Sequence, residues 1–159
     1  MRGKILIVED YTDWRELLSG MMRREGHQVK TVGTLHEAQA YIEETNDLDL
    51  AILDIRLVET DESNEDGMRL LALIRECQPF TRVIMITGHG TMETQRKAFR
   101  EFQAFDFFRK EQFDSEEFRN GFREAVEQAA HERQAWKGKN YIHGRRYEIW
   151  QRGSKGSKK

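Results

Sequence analysis

Three short and uninterrupted apolar runs constrain the fold of this chain most strongly: "ILIV" at 5–8, "LAIL" at 50–53 and "VIMI" at 83–86. Each run has the length of a β-strand and is apolar at every position rather than at alternate positions. Continuous apolarity is what a parallel strand needs when helices cover both faces of its sheet. The runs therefore predict an α/β domain in which they form the central strands.

Helical patterns separate these runs, and two further strand-length runs at 27–32 and 104–108 complete five β–α repeats. Asp13, Thr34 and Asp114 each stand three residues before a Glu, which is the pattern of a helix N-cap in a capping box. Right-handed crossovers then predict a doubly wound, five-stranded parallel sheet with helices on both faces. Ligands bind such sheets beyond the carboxyl ends of the strands, where the winding reverses.

Polar residues follow the predicted strands at that edge of the sheet. Glu9 and Asp10 follow the first strand, and Asp54 the third. Thr87 follows the fourth run, and Lys110 lies just beyond the fifth. Clustered carboxylates repel one another, and a divalent cation such as Mg²⁺ or Mn²⁺ relieves that repulsion. An aspartate such as Asp54 can attack a phosphoryl group whose oxygens a metal, an ammonium and a hydroxyl neutralise. These residue types therefore predict phosphoryl transfer to an aspartate.

The segments "ILIVED", "LAILDI", "VIMITGHG" and "AFDFFRK" resemble the signature segments of the response-regulator receiver domain of two-component signalling. The resemblance covers about residues 3–132, and we take residues 1–132 as the receiver domain. It implies a flavodoxin-like sheet with the strand order 2-1-3-4-5. It also implies a phosphoprotein that receives its phosphoryl group from a histidine kinase or a phosphotransfer protein. Its chemistry would be self-phosphorylation and self-dephosphorylation, so we do not expect a free-standing enzyme.

Carried over residue by residue, the resemblance implies roles in binding the metal and the phosphoryl group. Asp54 resembles the phosphoacceptor, and Lys110 resembles the lysine that pairs with the phosphoryl group. Asp10 and Asp54 would bind the metal directly, and Glu9 would bind it through a water molecule. The backbone carbonyl of Arg56 would complete the metal's protein ligands.

The resemblance also implies a switch. Thr87 resembles the switch hydroxyl and Phe107 the switch aromatic, which together reshape the face of helix 4, strand 5 and helix 5 after phosphorylation. A downstream protein or a second copy of the chain would bind that face. Arg56 and His89 stand where the family modulates the access of water. We predict that the Arg56 side chain shields the phosphoryl group and slows its hydrolysis.

Three features depart from the family pattern. Val58 replaces a proline that usually follows the acceptor, and Glu111 replaces the proline that usually follows the lysine. Without that proline, a cis peptide after Lys110 is not expected, since it would cost about 3 kcal/mol. The loop after Asp54 is also longer than usual, and residues 59–66 contain five acids. That loop is a solvated insertion, a partner contact or a brake on anionic phosphodonors.

The charge of the chain is unevenly distributed. Residues 136–159 hold eight basic residues and one acid, a net charge of +7, whereas residues 1–135 carry a net charge of −9. We assign 133–159 as a basic aromatic extension, with a β-hairpin at 140–150 and a disordered end at 153–159. The extension is a docking or solubilising segment, or it binds nucleic acid through phosphate contacts and aromatic stacking.

Three readings of the function follow. The preferred reading is a single-domain response regulator that signals through protein–protein contacts. The second is a regulator whose basic tail is an output element that binds nucleic acid. The third is a scaffold that has the receiver fold but does not use phosphorylation. No run reaches the length of a membrane span, and the single cysteine, Cys77, suits a reducing cytoplasm.

Overall fold

The computed structural model describes residues 2–58 and 60–139, in which strands and helices alternate along the chain. The elements are β1 (Lys4–Val8), α1 (Thr12–Arg24), β2 (Gln28–Val32), α2 (Leu35–Glu44), β3 (Leu50–Leu53), α3 (Asp66–Cys77), β4 (Arg82–Thr87), α4 (Met92–Arg100), β5 (Asp106–Arg109), a 3-10 turn (Lys110–Gln112) and α5 (Ser115–Lys139). All five predicted strands are present, with bounds within two residues of those expected. The hairpin predicted at 140–150 and the end at 153–159 lie outside the described residues.

The five strands form one parallel sheet with the order β2-β1-β3-β4-β5, which confirms the expected topology. The winding reverses between β1 and β3, so a crevice opens between the carboxyl ends of these two strands. Among the described helices, none is long and apolar enough to cross a membrane.

Two separate cores lie on the two faces of the sheet and explain why its central strands are apolar throughout. Ile5 and Ile7 of β1 pack with residues of α1 and α5, including Phe118. The alternate residues Leu6 and Val8 pack on the opposite face, with residues of α2 and α3. Successive side chains of a strand point to opposite faces, and both faces here are buried under helices.

Two of the three predicted helix caps are present. Thr34 Oγ1 accepts a hydrogen bond of 3.2 Å from the backbone amide three residues later, and Asp114 Oδ1 accepts from two amides at the start of α5. The prediction for Asp13 was wrong, because Tyr11 is the N-cap of α1 and Asp13 lies inside the first turn. The Tyr11 amide donates instead to the Glu9 carboxylate, at 3.0 Å, so the helix begins directly after the acidic pair.

Helix α5 continues past residue 132 without a break, so the predicted domain boundary falls inside a helix. Its last described turns dock at the amino edge of the sheet. Arg133 Nη1 donates to Asp49 Oδ1 at 2.7 Å, and the rings of Trp136 and Phe80 have centroids 6.1 Å apart. The first part of the predicted extension is therefore held against the sheet.

Candidate functional site

Three acids meet at the carboxyl edge of the sheet, in the crevice between β1 and β3. One carboxylate oxygen from each of Glu9, Asp10 and Asp54 lies within 4.8 Å of the other two. Glu9 is 0% exposed and Asp54 is 1% exposed. The proximity follows from the parallel register, since Val8 pairs with Leu53 and both strands end there.

Lys110 reaches into this cluster from the end of β5. Its Nζ lies 2.9 Å from Glu9 Oε2 and 3.1 Å from Asp54 Oδ2, so one ammonium joins two buried carboxylates. Burial alone would lower the pKa of Lys110, but the attraction of Asp54 and Glu9 outweighs it and raises the pKa. Lys110 is therefore held in the charged form beside the acids.

The single ammonium group of Lys110 does not fully neutralise the three carboxyl groups of the cluster. Burial, followed by repulsion from Asp54, raises the pKa of Glu9 to about 8 against the opposing influence of Lys110. Asp54 Oδ1 is buried and accepts no hydrogen bond from any described residue. Clustered buried carboxylates are costly, and a divalent cation bound among them would offset their repulsion and lower the pKa of Glu9. The three acids therefore fit a hard cation with oxygen ligands.

Arg15 in α1 organises the backbone of the acidic pair, and the sequence did not predict this role. Its Nη1 donates to the carbonyl oxygen of Glu9 at 2.8 Å and to that of Asp10 at 3.2 Å. Its Nη2 donates to Thr12 Oγ1 at 3.1 Å. The guanidinium thereby fixes the loop that carries two of the three acids. The only signal in the sequence was an arginine one helical turn after the acids.

Gly67, at the start of α3, supports the backbone of Asp54. Its amide donates to the Ile55 carbonyl at 2.9 Å. A Cβ on Gly67 would overlap the Asp54 carbonyl oxygen and would lie 2.6 Å from the Asp54 carbonyl carbon. Only a residue without a side chain permits this approach of the helix to the end of β3. The "DG" pair at 66–67 was visible in the sequence, but its contact with Asp54 depends on the tertiary structure.

Thr87 and Phe107 lie close together at the ends of β4 and β5. Thr87 is fully buried, and its Oγ1 accepts a hydrogen bond of 3.1 Å from the His89 amide. Gly90 lies between the two side chains, because a Cβ there would be 2.7 Å from Phe107 Cζ and 2.9 Å from Thr87 Cγ2. The half-buried Phe107 ring also faces Phe99 of α4, with centroids 6.4 Å apart. A shift of Thr87 would therefore change the packing around Phe107.

The two residues that we expect to modulate the site differ in their surroundings. Arg56 Nη2 donates to the carbonyl oxygen of Glu62 at 3.2 Å, so its guanidinium reaches the acidic loop. That loop is further fixed by Asn64, whose Oδ1 accepts from the Leu57 amide at 3.0 Å. His89 is exposed beyond Thr87. The acidic loop is therefore hydrogen-bonded to Arg56, which lies two positions after Asp54.

Comparisons with known proteins agree with this geometry. A family model described as "Response regulator receiver domain" matches residues 5–123. The nitrogen assimilation regulatory protein NtrX of Azorhizobium caulinodans is 36% identical over 110 residues, which are 69% of this chain and 23% of that protein. The chain spans less than a quarter of the length of the first curated relatives that it matches.

Solved structures give the same result. The crystal structure of NtrX from Brucella abortus in complex with ADP superposes with a TM-score of 0.72 at 33% identity, over 86% of this chain and 29% of that one. The solution structure of a beryllofluoride-activated NtrC4 receiver domain dimer superposes with a TM-score of 0.67 at 30% identity. That superposition covers 79% of this chain and 98% of that one.

Proposed function

Because the chain belongs to the response-regulator receiver family, we propose that it is a signalling switch that accepts a phosphoryl group on Asp54. Receiver domains of this family are signalling switches that take phosphoryl groups from histidine kinases. One observation carries the assignment to Asp54. Its Oδ2 is held by Lys110 at 3.1 Å, whereas its Oδ1 is buried without a hydrogen-bond partner in the described chain. The carboxylate is thus oriented by one oxygen and keeps the other for a reaction.

In the proposed reaction, Asp54 Oδ1 attacks the phosphorus of a donor phosphohistidine. The oxygen–phosphorus bond forms as the phosphorus–nitrogen bond of the donor breaks, and the imidazole nitrogen keeps the electron pair. Lys110 is already beside Asp54 and donates to the phosphoryl oxygens as their charge is exposed.

Receiver domains generally depend on Mg²⁺, and we assign Glu9, Asp10 and Asp54 to its site here. Asp10 and Asp54 would bind the ion directly, Glu9 through water and Arg56 through its backbone carbonyl, and Mn²⁺ would serve as well. The ion supplies positive charge for the phosphoryl oxygens. The chain's part is to hold the acids together, through Arg15 at the carbonyls of Glu9 and Asp10.

We further propose that phosphorylation is transmitted through Thr87 and Phe107 to the face formed by α4, β5 and α5. Thr87 would leave the His89 amide for a phosphoryl oxygen, and Phe107 would follow into the space beside Gly90. On α4, Met92 is 72% exposed and Phe99 is 37% exposed, which suits a downstream protein or a second copy of the chain. The same proposal places the protein in the cytoplasm, with a histidine kinase or phosphotransfer protein as donor.

Uptake of a phosphoryl group from acetyl phosphate tests the proposal. We expect wild type to gain the mass of one phosphoryl group in the presence of Mg²⁺ and none in EDTA. Asp54→Asn should gain none under either condition, because an amide oxygen does not form the acyl phosphate. Asp49→Asn is the matched control, since it makes the same substitution at the opposite end of β3 and should take up the group. Equal uptake by wild type and Asp54→Asn would contradict the proposal.

The effect of Arg56 on loss of the phosphoryl group is measured with the same protein after phosphorylation by acetyl phosphate. We propose that Arg56 slows loss of the phosphoryl group by limiting the access of water, although its guanidinium now bonds to the Glu62 carbonyl. Decay of phosphorylated Arg56→Ala should then be faster than that of wild type, by about 3- to 10-fold for the loss of one charge-assisted contact. Equal half-lives would reject this role for Arg56.

A further inference from the structure

We propose that Trp14 is a positioning residue that holds the Lys110 ammonium beside Asp54. The inference rests on the proposed function, because it concerns the lysine that would meet the phosphoryl group. Trp14 lies in the first turn of α1, four residues after Asp10. Lys110 Nζ stands over the indole ring, 5.3 Å from its centroid. At that distance the negative face of an indole attracts a cation.

The indole is held in place by the same segment that carries Lys110. Phe113 meets Trp14 edge-to-face, with centroids 5.2 Å apart and an interplanar angle of 87°. The Phe113 amide donates to the Lys110 carbonyl at 3.3 Å, so ring and lysine belong to one turn. Phe113 in turn packs on Phe118 of α5, with centroids 5.3 Å apart. The α1 helix and the Lys110 segment are thus joined at two points.

An aromatic ring restrains a lysine in a way that a third carboxylate would not. An ammonium has three N–H donors, of which Lys110 uses one for its hydrogen bond to Asp54 Oδ2, while Glu9 Oε2 pairs with it by charge at 2.9 Å. The ring face attracts the positive charge as a whole and takes no lone pair from the cluster. At least one donor therefore stays available for a phosphoryl oxygen. Lys110 is followed by Glu111, so the chain after the lysine has no proline ring to stiffen it.

Trp14 would have a different role if it only filled space between α1 and α5. It packs against the core that contains Phe118, so a purely structural role predicts that any apolar side chain of similar size suffices. The positioning role predicts a dependence on the aromatic face. Trp14→Phe keeps a smaller face, whereas Trp14→Leu keeps apolar volume and removes the face. Trp136→Leu makes the same change at the amino edge of the sheet and serves as the control.

The first measurement needs neither metal nor phosphodonor. In the full chain in EDTA, the Hε resonances of Lys110 should lie upfield of those of the other lysines, because the ring current shields protons above an aromatic face. Lys110→Arg assigns the signal. We expect the shift to persist in part in Trp14→Phe, to vanish in Trp14→Leu and to remain in Trp136→Leu. A Lys110 signal at the position of the other lysines in wild type would overturn the contact and the proposal.

The second measurement is the rate of phosphoryl uptake from acetyl phosphate with saturating Mg²⁺. Trp14→Leu should be about 3- to 10-fold slower than wild type and Trp14→Phe less affected, as expected for loss of one cation–π contact. Trp136→Leu should match wild type. The Mg²⁺ affinity of Trp14→Leu should be unchanged, whereas a disturbed acidic cluster would lower it.

The outcomes of these measurements distinguish the positioning role of Trp14 from the proposed phosphorylation of Asp54. Uptake by Trp14→Leu at the wild-type rate would overturn the positioning role. A Trp14→Phe as slow as Trp14→Leu would overturn it as well, because the aromatic face would then have no effect. If wild type took up no phosphoryl group, the proposed function would fail, while the Lys110 resonance would still decide whether the contact exists. If Trp14→Leu did not fold, Trp14→Phe and the wild-type resonance would decide it.

Discussion

Two buried aspartates flank β3, one at each end, and their surroundings are opposite. Asp49 precedes the strand, where its Oδ2 accepts from the Lys4 amide at 2.8 Å and its Oδ1 from Arg133 at 2.7 Å. Asp54 follows the strand, where Oδ2 accepts from Lys110 at 3.1 Å and Oδ1 has no hydrogen-bond partner in the described part of the chain. Both carboxylate oxygens of Asp49 thus have a hydrogen-bond donor, whereas among the described residues only one of the two oxygens of Asp54 has one.

The difference separates a structural carboxylate from a reactive one. At the amino edge, each oxygen of Asp49 has a donor, so the group contributes to stability and leaves no site for a ligand. At the carboxyl edge, Asp54 and its neighbour Glu9 share a single ammonium, and the pKa of Glu9 is raised to about 8. Two buried acids that share one ammonium group cost folding free energy, and such a cluster is typical of a site where a bound ligand offsets that cost. The comparison therefore predicts different responses to the same substitutions at the two ends.

The largest effect on stability is expected from Gly67→Ala, because this substitution disturbs the close approach of α3 to Asp54 at the carboxyl end of β3. The added Cβ would overlap the Asp54 carbonyl oxygen, and neither backbone can yield without moving α3 or β3. We expect the free energy of unfolding to fall by about 3 kcal/mol or more. Urea denaturation followed by circular dichroism measures it.

The control for that variant is Gly20→Ala in α1. A Cβ at Gly20 meets nothing closer than the flexible end of Arg24, at 3.5 Å. Alanine is the better helix former, so this variant should gain up to about 1 kcal/mol. A Gly67→Ala protein as stable as wild type would show that the close approach of α3 to Asp54 is absent.

Asparagine at each end of β3 tests the comparison directly. Asp49→Asn loses the ion pair with the largely buried Arg133, and we expect it to cost about 2 kcal/mol of unfolding free energy. Asp54→Asn removes one of two acids that share Lys110, and Glu9 can then ionise more readily. We expect a change within about 1 kcal/mol, in EDTA, because lost attraction and lost repulsion oppose each other. A larger loss for Asp54→Asn than for Asp49→Asn would reverse the comparison.

The sequence was sufficient to predict the sheet and the edge at which the acids meet, because both follow from local patterns. Continuous apolar runs identified the strands, and acids directly after two of those runs identified the edge where Glu9 and Asp54 meet. The prediction for Asp13 was wrong, since the first helix is capped at Tyr11, whose amide bonds to the Glu9 side chain. That choice depends on where the carboxylate points, which spacing does not reveal.

Contacts between distant segments were beyond the sequence patterns. The pairing of Asp49 with Arg133 joins residues 84 positions apart, and nothing local marks either residue. The close approach of Gly67 to Asp54 and the position of Trp14 under Lys110 likewise exist only after the sheet has formed. The continuation of α5 beyond residue 132 also depends on contacts with the amino edge, where Arg133 bonds to Asp49.

Magnesium should act on the carboxyl end alone. A ligand that binds only the folded protein raises its stability, by about 2.7 kcal/mol at a hundredfold excess over its dissociation constant. We expect Mg²⁺ to raise the melting temperature of wild type and of Asp49→Asn and to have a much smaller effect on Asp54→Asn. Scanning calorimetry with Mg²⁺ and with EDTA measures the difference. An equal rise in all three proteins would place the ion elsewhere.

The smallest effect concerns a buried histidine at the amino end. His27 Nδ1 accepts from the Gly3 amide at 2.9 Å, and burial lowers the pKa of His27 from 6.5, against the weaker attraction of Glu25. The unfolded chain therefore binds the proton more readily than the folded one. Neutral His27 therefore makes its full contribution to the free energy of unfolding above pH 6.5, and this contribution is lost as the pH falls below that value. Urea titrations from pH 7.5 to 5 should show a smaller decline for His27→Gln than for wild type, and identical declines would contradict the assignment.

The most direct test of the account is to locate the phosphoryl group on the chain. After incubation with acetyl phosphate and Mg²⁺, reduction with borohydride converts an aspartyl phosphate to homoserine, which peptide mass spectrometry places at one residue. The account predicts homoserine at position 54 and at no other acid of the cluster. Modification of Glu9 or Asp10 with Asp54 intact would contradict it, as would a folded, Mg²⁺-bound protein without any modification.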